Sequence, residues 1–279
     1  MKITDAHVHF WDVDKLEYPW LNEVPDIRRT FDLPAYRKAT QDLEIANIIF
    51  VQCECLPEQY PQENTYVTGL ARRDKRIKGI VSWFPLENPG AEELLETLKA
   101  NPLIKGIRRL EESPESLYRQ PAFIENMDLL TQSNLTMDLC IKHHQFPAVL
   151  NLIDKKPDNR YILDHLGKPG IADKEFNQWK DHIAAAANNP NVYCKFSGMV
   201  TEADWTNWTT ADLRPYAAIV LEHFGPERLV FGGDWPVVTL ASGYHRWVET
   251  ARELLSELSE TDRNKVFYQN AIDFYRTEG

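Results

Sequence analysis

Eight short apolar runs punctuate the sequence, at 2–10, 45–54, 77–86, 104–110, 135–142, 160–166, 191–198 and 228–235. Most are rich in Val, Ile and Phe and lack polar alternation, as strands covered on both faces do. Helix-like stretches separate most of them. Segment 90–100, "GAEELLETLKA", has apolar residues at helical spacing and runs into Asn-Pro, a stop signal. Segment 121–133 begins with Pro, favoured in a first helical turn. Segments 173–189, 213–225 and 243–258 supply further helices, the second ending in Gly. Eight strand-then-helix alternations within 279 residues predict a single-domain (β/α)8 TIM barrel over 1–279. The competing fold, a doubly wound open sheet, would carry a glycine-rich phosphate turn after its first strand. Here that run ends in "DAHVHFWD", without glycine. Segment 11–29, with its prolines, reads as an extended first βα loop over the barrel mouth, where active sites are built.

The formal charge of -11 repels phosphate backbones and argues against nucleic-acid binding. Four cysteines, at 53, 55, 140 and 194, lie inside apolar runs. They read as buried thiols in a reducing compartment, with neither a disulfide framework nor a C-x-x-C zinc pattern. No basic-then-apolar leader opens the sequence, and no apolar stretch approaches about 18 residues. The expectation is a soluble, cytoplasmic protein with no membrane partner; a homo-oligomer is compatible with the sequence.

Polar residues collect at the C-terminal ends of the predicted strands, which a barrel brings together around one pocket. His7 and His9 lie two apart on the first strand and so share a face. Two imidazoles so placed can grip a metal, polarise a carbonyl or move protons. They can also be ordinary polar residues at a strand end. Asp5, in register with both, is expected one layer deeper as a supporting partner. Glu54 ends the second strand, and Arg108 and Arg109 the fourth, on opposite faces. Arg108 is the one in register with Gly106 and Leu110. Asp138, Lys142 and His143 lie on or after the fifth. Asp138 can equally be a buried hydrogen-bonding partner, and Lys142 a solvated loop charge. On the sixth, alternation lets only one of Asp164 and His165 face inward, and His165 is favoured. Lys195 and Ser197 lie on the seventh, where Lys195 reads as structural or functional on equal terms. Asp234, in "RLVFGGDWP", follows the eighth, and its plain alternative is an N-cap or Asx turn.

Six pieces follow one order: "ITDAHVHFW" (3–11), "KGIRRL" (105–110), "MDLCIKHHQ" (137–145), "YILDHLGKP" (161–169), "YCKFSGMVTE" (193–202) and "LVFGGDWPV" (229–237). "NAIDFY" (270–275) adds a weaker one. In this combination the sequence resembles the amidohydrolase superfamily, in its branch of amidohydrolase-related sugar lactonases. The resemblance implies a (β/α)8 barrel and hydrolysis at a carbonyl carbon. It implies roles for His7, His9, His165 and Asp234, which would also be the ligands where a metal is held. Binuclear members of the superfamily use a carboxylated lysine on the fourth strand. Arg108 and Arg109 stand there instead, and arginine forms no such carbamate. Lys105 lies at the wrong end of the strand. The expected cofactor is one divalent ion, with Zn²⁺ suited to imidazole ligands, or none.

A lactone is a cyclic ester. The resemblance casts Asp234 as the base that orients water and passes the proton to the ring oxygen. The histidines bind the ion or donate to the oxyanion. Arg108 or Arg109, Lys142 and His143 would donate to sugar hydroxyls and Glu54 would accept. Trp83, Trp205, Trp208 and Tyr244 would stack on the ring, or else pack the core. The expected substrate is a six-carbon aldonolactone such as L-fucono-, L-rhamnono- or galactono-lactone. Two other readings compete. One is a hydrolase or decarboxylase of a dicarboxylate pyrone-type substrate, which needs several cations around its carboxylates. The other is a barrel that binds sugar acids without turnover.

Overall fold

Each apolar run forms a strand, and the eight strands pair in parallel in chain order. They are β1 (Ile3–Val8), β2 (Ile45–Val51), β3 (Ile77–Ser82), β4 (Ile104–Leu110), β5 (Thr136–Cys140), β6 (Tyr161–Leu163), β7 (Val192–Phe196) and β8 (Leu229–Phe231). This computed structural model describes residues 1–110 and 116–277. The seam between β8 and β1 closes just past β8, through a parallel bridge of Val8 with Trp235. Two backbone hydrogen bonds hold it, His9 N to Trp235 O at 2.8 Å and Asp234 N to His7 O at 2.8 Å. The fold is the expected single-domain (β/α)8 barrel. Several strands are shorter than their apolar runs. β6 stops at Leu163 because His165 and Leu166 take left-handed φ of 53° and 56°, which no strand continues.

A helix covers each strand from outside: α1 (Leu33–Ala39), α2 (Tyr60–Arg73), α3 (Ala91–Lys99), α4 (Pro121–Gln132), α5 (Phe146–Lys155), α6 (Asn177–Ala187), α7 (Thr210–Phe224) and α8 (Tyr244–Leu254). Local chemistry sets their starts. The Asp32 carboxylate accepts from Ala35 N at 3.1 Å to cap α1. Thr209 and Asp212 form a reciprocal box at the start of α7. In α8, Tyr244, Trp247, Val248 and Ala251 recur at helical spacing and are buried. Two short helices, α9 (Glu260–Asn264) and α10 (Asn270–Tyr275), end the described chain. Ala271, Phe274 and Tyr275 stop the barrel's lower end against inward residues such as Ala6, Ile49, Val51 and Val230. Among the described residues, no helix is long and apolar enough to cross a membrane.

The first βα loop is fastened at both ends. Trp11 and Phe31 exchange backbone hydrogen bonds at 3.1 and 2.9 Å. Trp20 Nε1 donates to Cys53 O at 2.8 Å, tying the loop to the segment after β2. Beneath that segment lies Glu63 of α2, fully buried. One of its oxygens accepts from Cys53 N at 3.1 Å, and the other has no partner among the described residues. Burial pushes its carboxyl up to about 8, against an ordinary value of 4.5. The folded chain therefore keeps this proton where the unfolded chain has lost it. The stability it contributes is complete below pH 4.5 and is lost as pH rises through 8. Glu63→Gln, neutral at every pH, is expected to flatten the fall in unfolding free energy between pH 6 and pH 8. Denaturant titrations at the two values check this; parallel curves for both proteins would refute it.

Candidate active site

The upper half of the barrel is polar, and its order from the floor upward follows strand alternation. Lys195 of β7 is fully buried at the centre. Its Nζ lies 2.5 Å from Asp138 Oδ2, 2.8 Å from Asp164 Oδ1 and 3.1 Å from His7 Nδ1. Tyr275 OH donates to Asp138 Oδ2 at 2.7 Å from below. Burial pushes the Asp138 carboxyl up to about 6 although Lys195 opposes it. Burial would raise Asp164 too, but Lys195, His7 and Arg108 together hold it well below the carboxylate range.

Above this ionic layer stand the imidazoles. His7 Nε2 and His9 Nε2 are 3.2 Å apart. Asp234 Oδ1 lies 3.7 Å from the first, 3.6 Å from the second and 3.9 Å from His165 Nε2. His9 Nδ1 donates to Val51 O at 2.8 Å, which aims its Nε2 at His7 and Asp234. His165 Nδ1 is 2.9 Å from Ser197 Oγ. Burial pushes His7 well below the ordinary imidazole value, with Lys195 adding to it. Burial takes His165 down to about 4. Burial alone would raise Asp234, but His165, His9 and Lys168 outweigh it and keep the carboxyl below its ordinary value. The site therefore combines a carboxylate with neutral His7 and His165 at pH 7.

Two glycines make this packing possible. A side chain on Gly232 would place Cβ 2.8 Å from His7 Cβ. Gly198 has φ +65°, and a Cβ there would fall on the His165 ring, 2.5 Å from its Cγ. Gly198→Ala is expected to lose about 1–2 kcal/mol from the left-handed backbone alone, and to turn the His165 ring away from Asp234. A thermal melt and a turnover assay check both; wild-type values in both would mean that Gly198 does not set the ring.

A cavity of ≈ 620 Å³ opens above, with His9, His165, Arg108 and Asp234 at its base. Four of its lining residues, Glu54, His165, Lys168 and Asp234, have left-handed φ between 47° and 53° without being glycine. Such backbone costs energy and gathers where side chains must be aimed.

The other expected site residues divide. Arg108 faces the cavity: its Nη2 donates to Gln52 O at 2.7 Å, its Nη1 is 3.4 Å from Asp164, and its buried Nε has no partner among the described residues. Arg109 points the other way, to Glu87 at 2.6 Å and over Trp83 at 4.5 Å. Glu54 and Trp205 line the cavity. Lys142 is exposed outside it. His143 pairs with Glu175 at 2.7 Å and lies 3.3 Å from Lys168 O, bracing the loop after β6 rather than lining the cavity. Tyr244 is buried behind the barrel wall, its OH donating to Asp5 Oδ2 at 2.7 Å. Trp208 is also buried, donating to Ala241 O at 2.8 Å.

Two alternation arguments fail for local reasons. Asp5 meets Tyr36 of α1 and Tyr244 of α8, on the helix side, whereas His7 meets Lys195 inside. A register irregularity between Asp5 and Val8 separates their faces. Asp164 and His165 both reach the centre, because β6 has ended and the left-handed turn rotates His165 back inward. Lys168, Glu202 and Cys140 line the cavity without having been singled out. The first two sit on loops whose course only the tertiary fold fixes.

Residues 4–277 match the amidohydrolase family. The chain belongs to that family. An L-fucono-1,5-lactonase of Burkholderia ambifaria is 29% identical over 98% of this chain and 95% of its own. An L-rhamnono-gamma-lactonase of Scheffersomyces stipitis is 25% identical over 98% of both chains. A crystal structure of an amidohydrolase from Burkholderia multivorans, with bound zinc, superposes with a TM-score of 0.89 at 27% identity, over 99% of each chain.

Whether an amidohydrolase ion fits here can be judged from the donor atoms. Tetrahedral Zn²⁺ with bonds of about 2.0–2.1 Å sets its ligand atoms about 3.4 Å apart. His7 Nε2, His9 Nε2 and Asp234 Oδ1 form a triangle of 3.2, 3.7 and 3.6 Å, so they fit a single ion. His7, Asp164 and His165 form a second close set, and His165 does not complete the first. β4 offers no lysine at its upper end, and Lys105 packs on Gly79 near the strand's beginning.

Proposed function

We propose that the chain hydrolyses a sugar lactone to its aldonic acid, with Asp234 as general base. One observation carries this: an ionised carboxylate, the His9 and His165 imidazoles and an arginine whose Nε has no partner among the described residues converge at the base of one cavity, with His7 directly beneath. A carboxylate can orient water towards a carbonyl carbon, while neutral N–H donors and a guanidinium stabilise the oxyanion. Arg108 sits where those donors are needed. As water adds, one proton passes to Asp234 and the C–O ring bond breaks. The same proton then goes to the departing ring oxygen, and the new carboxylic acid ionises to solvent. His7, His9 and Asp234 would hold a single divalent ion, with zinc supported by the zinc-bound Burkholderia multivorans relative. Such an ion, when bound, polarises the carbonyl and makes water more acidic. The lactonase relatives over nearly the whole chain support the same chemistry.

The test is a pH-indicator assay over neutral aldonolactones, with metal analysis of protein purified without added ions and a chelator arm. Acid release with at least one sugar lactone supports the proposal. No ring opening under any metal condition would sink it.

A further inference from the structure

The cavity has a second polar level that the reaction centre does not use. Lys168, from the loop after β6, and Glu202, from the loop after β7, both line it and are both half-buried. Among the described residues, neither the Lys168 ammonium nor the Glu202 carboxylate makes a hydrogen bond or ion pair. They are nevertheless held in place. Ala172 N donates to Glu202 O at 3.0 Å, and Thr201 Oγ1 donates to Gly198 O at 2.9 Å. Trp205 Nε1 donates to Thr201 O at 2.8 Å, which fixes the indole beside them. That indole is 45% exposed, an unusual display for so large a ring, and it faces the same cavity.

A half-buried carboxylate without a donor is costly unless a ligand supplies one. Burial raises the Glu202 carboxyl, and Lys168 only partly offsets this. The balance of charge selects what that ligand can be. Glu23, Glu54, Glu202 and Asp234 line the cavity against two permanent cations, Arg108 and Lys168. Such a wall disfavours a dicarboxylate and favours a neutral molecule rich in hydroxyl donors. Two carboxylate oxygens can accept from two adjacent hydroxyls, an ammonium can donate to a third oxygen, and an indole face suits the C–H side of a sugar ring.

We propose that Glu202 is a specificity-determining residue that accepts hydrogen bonds from a vicinal diol of the substrate, with Lys168 donating beside it, so that the site takes neutral polyhydroxylated lactones and rejects those bearing a carboxylate. This rests on the lactonase reading above. A site built to bond a hydroxyl rejects analogues that lack it or replace it with an anion, because its own polar groups are then left unpaired.

The experiment compares wild type, Glu202→Gln and Glu202→Ala on three substrates: a neutral aldonolactone, its deoxy analogue lacking one diol hydroxyl, and a lactone carrying a free carboxylate. Thermal melts confirm that each variant is folded. For the neutral lactone, Glu202→Gln is expected to raise KM about tenfold or more, with most of the loss in KM rather than kcat. The preference for the neutral over the deoxy substrate should fall in parallel. The carboxylate-bearing lactone should be poor for wild type and gain in Glu202→Gln. An unchanged KM and preference in both variants, with wild type active, overturns the role of Glu202 and leaves the lactonase reading standing. Wild-type preference for the carboxylate-bearing lactone overturns it as well. Failure of wild type to open any lactone removes both readings together.

Discussion

Asp234→Asn is expected to lower kcat/KM by about 10²–10⁴-fold, the usual worth of a positioned general base, while leaving the thermal midpoint nearly unchanged. The amide keeps the shape of the side chain and the backbone hydrogen bond from residue 234 N to His7 O at 2.8 Å. It cannot accept the proton of the attacking water. The pH profile separates loss of the base from loss of position. Burial would raise this carboxyl, but His165, His9 and Lys168 hold it below its ordinary value of 3.8. Its ionised form is therefore complete through the neutral range and is lost only as pH falls below about 4. The wild-type rate should show an acid limb in that region. The residual rate of Asp234→Asn should lose the carboxylate's part of that limb and keep the part that His165 contributes. Near-normal turnover in Asp234→Asn would remove this residue as the base, whatever the substrate. His165, pushed down to about 4, also titrates in acid, so the wild-type limb reports the pair and not one group.

The barrel was legible because its evidence is repeated. Eight Val- and Ile-rich runs covered on both faces, each followed by a helical pattern, leave few other ways to bury the chain. Alternation also set Arg108 and Arg109 on opposite faces without choosing between them; the structure turns Arg108 inward, where β4 stays regular through Leu110. The same rule failed wherever the backbone departed from a strand. A register irregularity separates Asp5 from His7, and a left-handed turn brings both Asp164 and His165 inward. At β5 the apolar run extends to Lys142, but the strand ends at Cys140. Lys142 then turns to solvent and His143 to Glu175. Tyr244 looked like a stacking residue because aromatic rings suit sugars; its hydroxyl instead satisfies the buried Asp5. Lys168 and Glu202 sit in "HLGKP" and "VTE", yet nothing local marks either as facing a cavity. Their positions depend on a left-handed Lys168 and on loops anchored through His143, Ala172 and Trp205.

Lys195→Met is expected to cost about 3–5 kcal/mol of folding free energy, the usual consequence of removing one partner from a buried ionic cluster. Methionine nearly fills the volume of the lysine stem, so little of the loss comes from a cavity. What remains are two carboxylates, Asp138 and Asp164, both fully buried and both deprived of their nearest cation. Among the described residues, Asp138 keeps only the Tyr275 hydroxyl and a distant Thr136, and Asp164 keeps Arg108 at 3.4 Å and His7 at 3.5 Å. Acid should rescue the variant. Burial already lifts Asp138 to about 6 with Lys195 present, and removing the ammonium can only raise it further. The folded variant therefore takes up protons that the unfolded chain, near 3.9, does not. Its deficit against wild type is larger at pH 8 and shrinks as pH falls towards 6, below which the wild-type Asp138 takes up its own proton. Asp138→Asn in the Lys195→Met background should recover part of the loss at pH 8 and remove part of the pH dependence. Urea titrations of the three proteins at pH 5 and pH 8 make the comparison. A cost below about 1 kcal/mol at pH 8, in the range of a surface ion pair, would mean that the layer beneath His7 does not depend on Lys195. A cost of several kcal/mol with acid rescue means that the lysine in the barrel's centre holds together the carboxylates on which His7 rests.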